Sequence, residues 1–254
     1  MTALLETRQL RVSVPGRTLI GSFDATIRAG EFVALLGGNG AGKSLLLRTL
    51  AGLRAPANGS VLVDGRDIAT IGRRDIATRL GFLPQDPDAP PQGSLRENVL
   101  LGRFSHLGFW EAAGADDTRR VAHALADVAL ESLADRELGT LSGGEQRRAA
   151  IARLLVQAPS IYLLDEPTNH LDPAQQIGIL DRLRGLTRSG AAVIASLHEP
   201  NLALRFADRA CLLSGDGAAE MIDCAALKTA HLDRLYGIRY VETRLGTLRF
   251  MAPG

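Results

Sequence analysis

The octapeptide GGNGAGKS, Gly37 to Ser44, lies between an apolar run, FVALLG, and a stretch of helical spacing, KSLLLRTLAGL, that stops at Gly52. No other segment restricts the fold of this chain as strongly. The pattern G-x-x-x-x-G-K-[ST] cradles phosphate only when a strand precedes it and a helix follows it, and the flanking sequence supplies both. Glycine lets successive backbone N–H groups turn inward on an anion, and the helix N-terminus adds its partial positive charge. Gly37, Gly38, Asn39, Gly40, Ala41, Gly42, Lys43, Ser44 and Leu45 are therefore the candidate phosphate-binding residues.

Composition sharpens this reading at one position. Of 29 basic residues only Lys43 and Lys228 are lysine. A lysine kept at position 43 has a chemical reason, because a compact ammonium and a planar guanidinium are not equivalent. Lys43 is expected to reach the β- and γ-phosphates of a nucleotide as a point charge, and the Ser44 hydroxyl to ligate Mg²⁺. Composition otherwise excludes. A net charge of +1 over 254 residues argues against sequence-independent nucleic-acid binding. No apolar run approaches the roughly 18 to 20 residues that cross a bilayer. Glu6 and Arg8 come too early for a signal-peptide core. Cys211 and Cys224 have neither metal-ligand nor redox spacing, so the chain reads as a soluble protein of a reducing compartment.

Along the chain, residues 4 to 36 alternate and turn as β-structure, with a turn at Pro15-Gly16. GSVLVDGRDI reads as a strand ending in an Asp64-Gly65 turn, and RLGFLP as a strand leading to Gln85. Residues 86 to 140 change character, opening with DPDAPPQGS and showing helical stretches at Leu95 to Leu101 and Thr118 to Leu130. They read as an inserted helical subdomain. A helix from Gly144 to Gln157, the strand SIYLLD, a helix over Pro173 to Thr187, the strand GAAVIASL and the hairpin ACLLSGDGAAEMI follow. Residues 225 to 254 read as a C-terminal helix and a hairpin turning through RLG. Apolar strands alternating with helices indicate a mostly parallel, covered sheet. The fold class is α/β, one domain over residues 1–254, with an N-terminal antiparallel β subdomain and the helical insertion.

Two further segments carry chemistry. IYLLDEP ends an apolar strand in two acids. Asp165 is placed to hold Mg²⁺ through water, and Glu166, which alternation points elsewhere, is the candidate general base for an attacking water. An acid pair at a strand end also serves as a helix cap, so its weight comes from following a phosphate loop. LSGGEQRRAAIARLL, Leu141 to Leu155, raises a question instead. Gly143 and Gly144 stand where a helix is about to begin, and each costs about 1 kcal/mol relative to alanine in a helix interior.

GGNGAGKS, LPQ at 83 to 85, LSGGE at 141 to 145, LLDEPTNHLD at 163 to 172 and His198 in SLHEP occur in the order of an ABC-transporter ATPase subunit, which the chain resembles over nearly its whole length. The resemblance implies a P-loop NTPase core that hydrolyses ATP with Mg²⁺. It also implies a head-to-tail dimer, most simply of identical subunits. Ser142, Gly143, Gly144 and Glu145 would then face an ATP held by the partner's phosphate loop, where bare glycine lets backbone approach a γ-phosphate. Gln85 would contact Mg²⁺ and the attacking water, Asp172 would bridge the dimer, and His198 would hold the γ-phosphate. Catalysis would thus rest on Glu166, His198, Gln85 and Lys43, with Ser44, Gln85 and Asp165 around the metal. His106, His123, His170 and His231 are given no catalytic role.

Three positions depart from the family pattern. Val14 replaces an aromatic residue that often stacks on adenine, Gly38 stands where proline is common, and Leu45 follows Ser44 where threonine is common. ENVLLGRFSH, Glu97 to His106, resembles the LGR-x-x-H pattern of ATPases that serve importers of ferric siderophores, haem and cobalamin. The expected assembly is therefore a peripheral ATPase pair on the cytoplasmic face of the inner membrane, beneath permease subunits and served by a periplasmic binding protein. An exporter ATPase or a soluble cluster-assembly ATPase is the alternative. DNA-repair types would need a long coiled coil between loop and signature, and translation types a second cassette.

Overall fold

The computed structural model describes residues 2–85, 92–108, 111–246 and 248–254. The first six residues of the expected insertion, 86–91, lie outside them.

β1 (Ala3–Val14) and β2 (Arg17–Arg28) form a long antiparallel hairpin around Pro15-Gly16, with Gly16 at φ +75°. β3 (Phe32–Leu36) leads into the phosphate loop and α1 (Lys43–Leu50) leaves it. β4 (Asn58–Val63) returns beside β1, and the Asp64-Gly65 turn joins it to the two-residue β5 (Arg66–Asp67). These four strands make an antiparallel sheet in the order β2-β1-β4-β5. α2 (Arg73–Arg79) and β6 (Leu80–Leu83) precede the insertion, which contains α3 (Leu95–Leu100) and α4 (Ala115–Asp127). α5 (Gly143–Gln157), β7 (Ile161–Leu164), α6 (Pro173–Arg188), β8 (Ala192–Ser196), α7 (Pro200–Phe206), β9 (Arg209–Leu213) and β10 (Ala219–Asp223) complete a second sheet. Its order is β10-β9-β3-β8-β7-β6, parallel except for the β10 edge. α8 (Thr229–Tyr236) and a hairpin of β11 (Tyr240–Leu245) and β12 (Leu248–Pro253) end the chain.

Burial explains the second sheet. All five residues of β3 are buried, as are all of β7 and β8. Such strands need a cover on each face, and the side chains divide by alternation. Phe32, Ala34 and Leu36 face α5, α6, α7 and the insertion. Val33 and Leu35 face α1 and the antiparallel sheet. Fully burying each leucine contributes roughly 1.5–3 kcal/mol.

The insertion is fixed to α5 through the LGRFSH segment. A methyl group at Gly102 would lie 2.3 Å from the Arg153 carbonyl oxygen, so only glycine lets this turn touch the α5 backbone. Arg103 pairs with Asp117 at 2.7 Å and donates to the Val156 carbonyl at 3.4 Å. The His106 Nε2 lies 2.8 Å from the Gln157 carbonyl. Cationic and polar groups thus collect at the carboxyl end of α5, where its last carbonyls are unpaired and its dipole is negative.

Several elements differ from the sequence expectation, α3 and α6 only by one residue at their carboxyl ends. α5 begins one residue earlier, because Ser142 caps it. α4 begins at Ala115, with Gly114 as N-cap. α2 was not anticipated: it is seven residues long and buries only Ile76, too little for a periodic signal. α7 was missed too, although Pro200 at its first position is a helix-start signal.

Gly102→Ala is expected to lower stability by about 1–3 kcal/mol through overpacking, or roughly 5 °C in Tm, in thermal denaturation of the purified chain.

Candidate active site

Strands β3, β6, β7 and β8 run parallel, so their C-terminal ends lie along one edge of the sheet. Ligands of open α/β sheets bind at this edge. It carries the phosphate loop after β3, Gln85 after β6, Asp165 and Glu166 after β7, and His198 after β8.

The loop is shaped by close packing. A Cβ at Gly37 would meet the Leu213 carbonyl oxygen at 2.5 Å, and Gly42, the N-cap of α1, takes φ +101° against Leu19. Lys43 is 6% exposed, and its ammonium donates to the carbonyls of Gly37 at 2.7 Å and Gly38 at 3.1 Å. Burial pushes its pKa down, while the charges of Glu166 and then Asp165 push it back up. Those two carboxylates therefore lie within electrostatic reach of the loop lysine. Ser44 follows in the first turn of α1, half-buried.

Asp165 is 1% exposed, and its Oδ1 accepts from the Ser196 hydroxyl at 2.7 Å. Glu166 is also buried, and its N–H donates to the same Ser196 oxygen at 2.7 Å. Glu166 takes φ +51°, a left-handed conformation uncommon for a residue with a side chain. The Glu166 Oε1 lies 2.7 Å from His198 Nε2, and Oε2 accepts from the Asn169 amide. His198, expected at a γ-phosphate, thus meets Glu166 itself with its imidazole 44% exposed.

Arg147 of α5 reaches across the same strand ends. Its guanidinium donates to the carbonyls of Pro84 at 2.5 Å, Gln85 at 3.1 Å, Asp165, and Glu166 at 2.7 Å. Gln85 itself is exposed. At the start of α5, Ser142 and Glu145 form a reciprocal capping box. The Ser142 N–H, and then its hydroxyl, hold the Glu145 carboxyl below the usual carboxylate range. Among the described residues, Ser142, Gly143 and Glu145 make no hydrogen bond to the phosphate loop or the two acids. A Cβ at Gly144 would sit 2.9 Å from the His170 carbonyl oxygen, which gives that glycine a role inside the chain, whereas Gly143 faces open space among the described residues. Asp172 is exposed and caps α6, accepting from the Gln175 N–H at 2.9 Å. Val14 pairs across the hairpin with Arg17, whose guanidinium donates to the Gly215 carbonyl at 2.6 Å.

Ser196, Asn169 and Arg147 are the site residues that sequence reasoning missed. Asn169, inside the acid motif, carried a usable signal. Arg147 is one of two adjacent arginines in α5, and Ser196 is a small residue in an apolar strand, so neither stood out. Cys211 and Cys224 are buried, and burial pushes their thiols up to about 12.

A buried lysine on a glycine loop, facing two buried carboxylates at the ends of parallel strands, defines a P-loop nucleoside-triphosphate hydrolase. The sequence profile described as ABC transporter matches residues 20–169. The hemin import ATP-binding protein HmuV of Rhodopseudomonas palustris is 42% identical, covering 100% of this chain and 96% of that protein. The ferric enterobactin transport ATP-binding protein FepC of Escherichia coli is 37% identical, covering 93% and 88%. Among solved structures, an inward-facing transporter assigned to the metal-chelate ABC type superposes with a TM-score of 0.84 at 26% identity, covering 100% of this chain and 98% of that one. The chain belongs to the ABC transporter family, binds ATP, and is an ATPase.

Glu166→Gln is expected to leave ATP binding intact and lower kcat by about 10²–10⁴-fold, the range for loss of a positioned base. Paired ATP-binding and phosphate-release assays measure this, and turnover at the parent rate would remove Glu166 as the base.

Proposed function

We propose that this chain is the ATP-hydrolysing subunit of an importer for an iron-bearing chelate, a ferric siderophore or haem. The observation that carries the reading is the likeness to HmuV and FepC over at least nine-tenths of the chain, with cargo stated in both names. Cobalamin, the third cargo expected from the sequence, appears in neither name. The same likeness favours import over export or cluster assembly. In this reading two identical copies associate head to tail beneath permease subunits, on the cytoplasmic side of the membrane, and a periplasmic binding protein delivers the cargo. Among the described residues no helix is long and apolar enough to cross a membrane, which fits a separate permease.

The site's donors suit Mg²⁺: the Ser44 hydroxyl, the Asp165 carboxylate and the Gln85 amide oxygen are hard oxygen ligands. When bound, the ion neutralises charge on the β- and γ-phosphates. Lys43 and the loop N–H groups bind and orient the triphosphate. The Glu166 carboxylate takes the proton of the attacking water, oriented by Asn169 on one oxygen and His198 on the other. Ser142 and Gly143 complete the site of the opposite copy. The open space at Gly143 supports this, since no atom of the described residues would meet a side chain there. Asp172 stands exposed at the start of α6, available to the same interface.

A cavity of about 650 Å³ between α2 and the insertion suits a cytoplasmic helix of the permease. Arg73, Phe104 and Arg153 are among its lining residues, and Phe104 is 77% exposed.

The test is to tag the chain, extract native membranes in mild detergent and identify co-purifying proteins by mass spectrometry. A many-spanning permease is expected, and a chain found only with soluble partners would overturn the importer reading. Ser142→Arg is expected to abolish turnover of the assembled pair while ATP binding by the same chain persists. Loss of binding in the isolated chain would contradict action across the dimer.

A further inference from the structure

We propose that Ser196 is a positioning residue for hydrolysis, its hydroxyl tying the metal-side carboxylate of Asp165 to the backbone of the base Glu166. The proposal rests on the roles given above to those two acids. Ser196 ends β8, whose five residues are all buried, and is itself 0% exposed among alanine, valine and isoleucine. A hydroxyl placed there is costly unless it is paired. It is paired in both directions, donating to Asp165 Oδ1 and accepting from the Glu166 N–H, each at 2.7 Å. One atom thereby fixes both acids.

Three consequences follow from this geometry. The Glu166 N–H is held at the point where the backbone enters its left-handed turn, so the turn has a fixed partner. Asp165 uses Oδ1 on Ser196, which leaves Oδ2 for the cation side. His198, two residues beyond Ser196, meets the Glu166 carboxylate at 2.7 Å, so the end of β8 grips the base by its backbone and its side chain. Alanine at 196 keeps the packing but orphans the Glu166 N–H and frees Asp165 to rotate, whereas threonine keeps the hydroxyl.

The experiment compares Ser196→Ala and Ser196→Thr in the full chain. It measures kcat and KM for ATP, the Mg²⁺ concentration that half-saturates equilibrium binding of a fluorescent ATP analogue, and Tm. Ser196→Ala is expected to lower kcat at least tenfold with KM within twofold of the parent, and to raise the half-saturating Mg²⁺ severalfold. Ser196→Thr is expected to restore both. A lower Tm with parent kcat and parent Mg²⁺ dependence would overturn the proposal and leave Ser196 a packing residue. Should Ser196→Ala fail to fold, Ser196→Cys, close in volume with a weak donor, carries the same comparison against threonine. Glu166→Gln runs alongside: its turning over normally refutes the role of Glu166, whatever Ser196 does.

Discussion

One guanidinium holds the site to the helix that must answer to it. Arg147 leaves the second turn of α5 and donates to backbone carbonyls at the ends of both β6 and β7. Strand ends that carry functional residues are otherwise free to splay, because their last carbonyls have no sheet partner. Charged donors give the stronger class of hydrogen bond, and a buried arginine must find such acceptors or lose its solvation. The carbonyls of Gln85, Asp165 and Glu166 are therefore held by the same side chain, and a shift of α5 is felt at each of them.

Much of this was legible in the sequence, for a physical reason. The phosphate loop, the acid pair and the α5 start are local patterns, in which a few neighbouring residues set the backbone and the backbone sets the chemistry. The parallel sheet was legible as well, because β3, β7 and β8 are apolar on both faces. Contacts between distant positions were not. Ser196 meets Asp165 and Glu166 across 31 and 30 residues, and Arg147 meets Pro84 across 63. Nothing in their own neighbourhoods distinguishes them from an ordinary buried serine or one more helix arginine.

The two glycines of LSGGE separate along the same line. Gly144 is explained inside the chain, since a side chain would strike the His170 carbonyl oxygen. Among the described residues Gly143 has no such neighbour, and Ser142 already caps the helix through Glu145. In the proposed head-to-tail pair, the requirement at Gly143 comes from the anion that the second copy presents.

α5 brings these observations together. Its 15 residues span about 22 Å at 1.5 Å per residue. The amino end carries Ser142 and Gly143, the second turn carries Arg147 against the backbone of the two acids, and the carboxyl end is gripped by Gly102, Arg103 and His106 beside the cavity between α2 and the insertion. A helix packed along its length moves as a body more readily than it bends. A partner seated in that cavity would thus bear on the helix that holds Asp165 and Glu166 by their backbones and that, in the proposed pair, would present Ser142 to the opposite nucleotide. In the importer reading, the same element that senses the permease completes the partner's site and steadies its own, which is how docking and hydrolysis come to depend on each other.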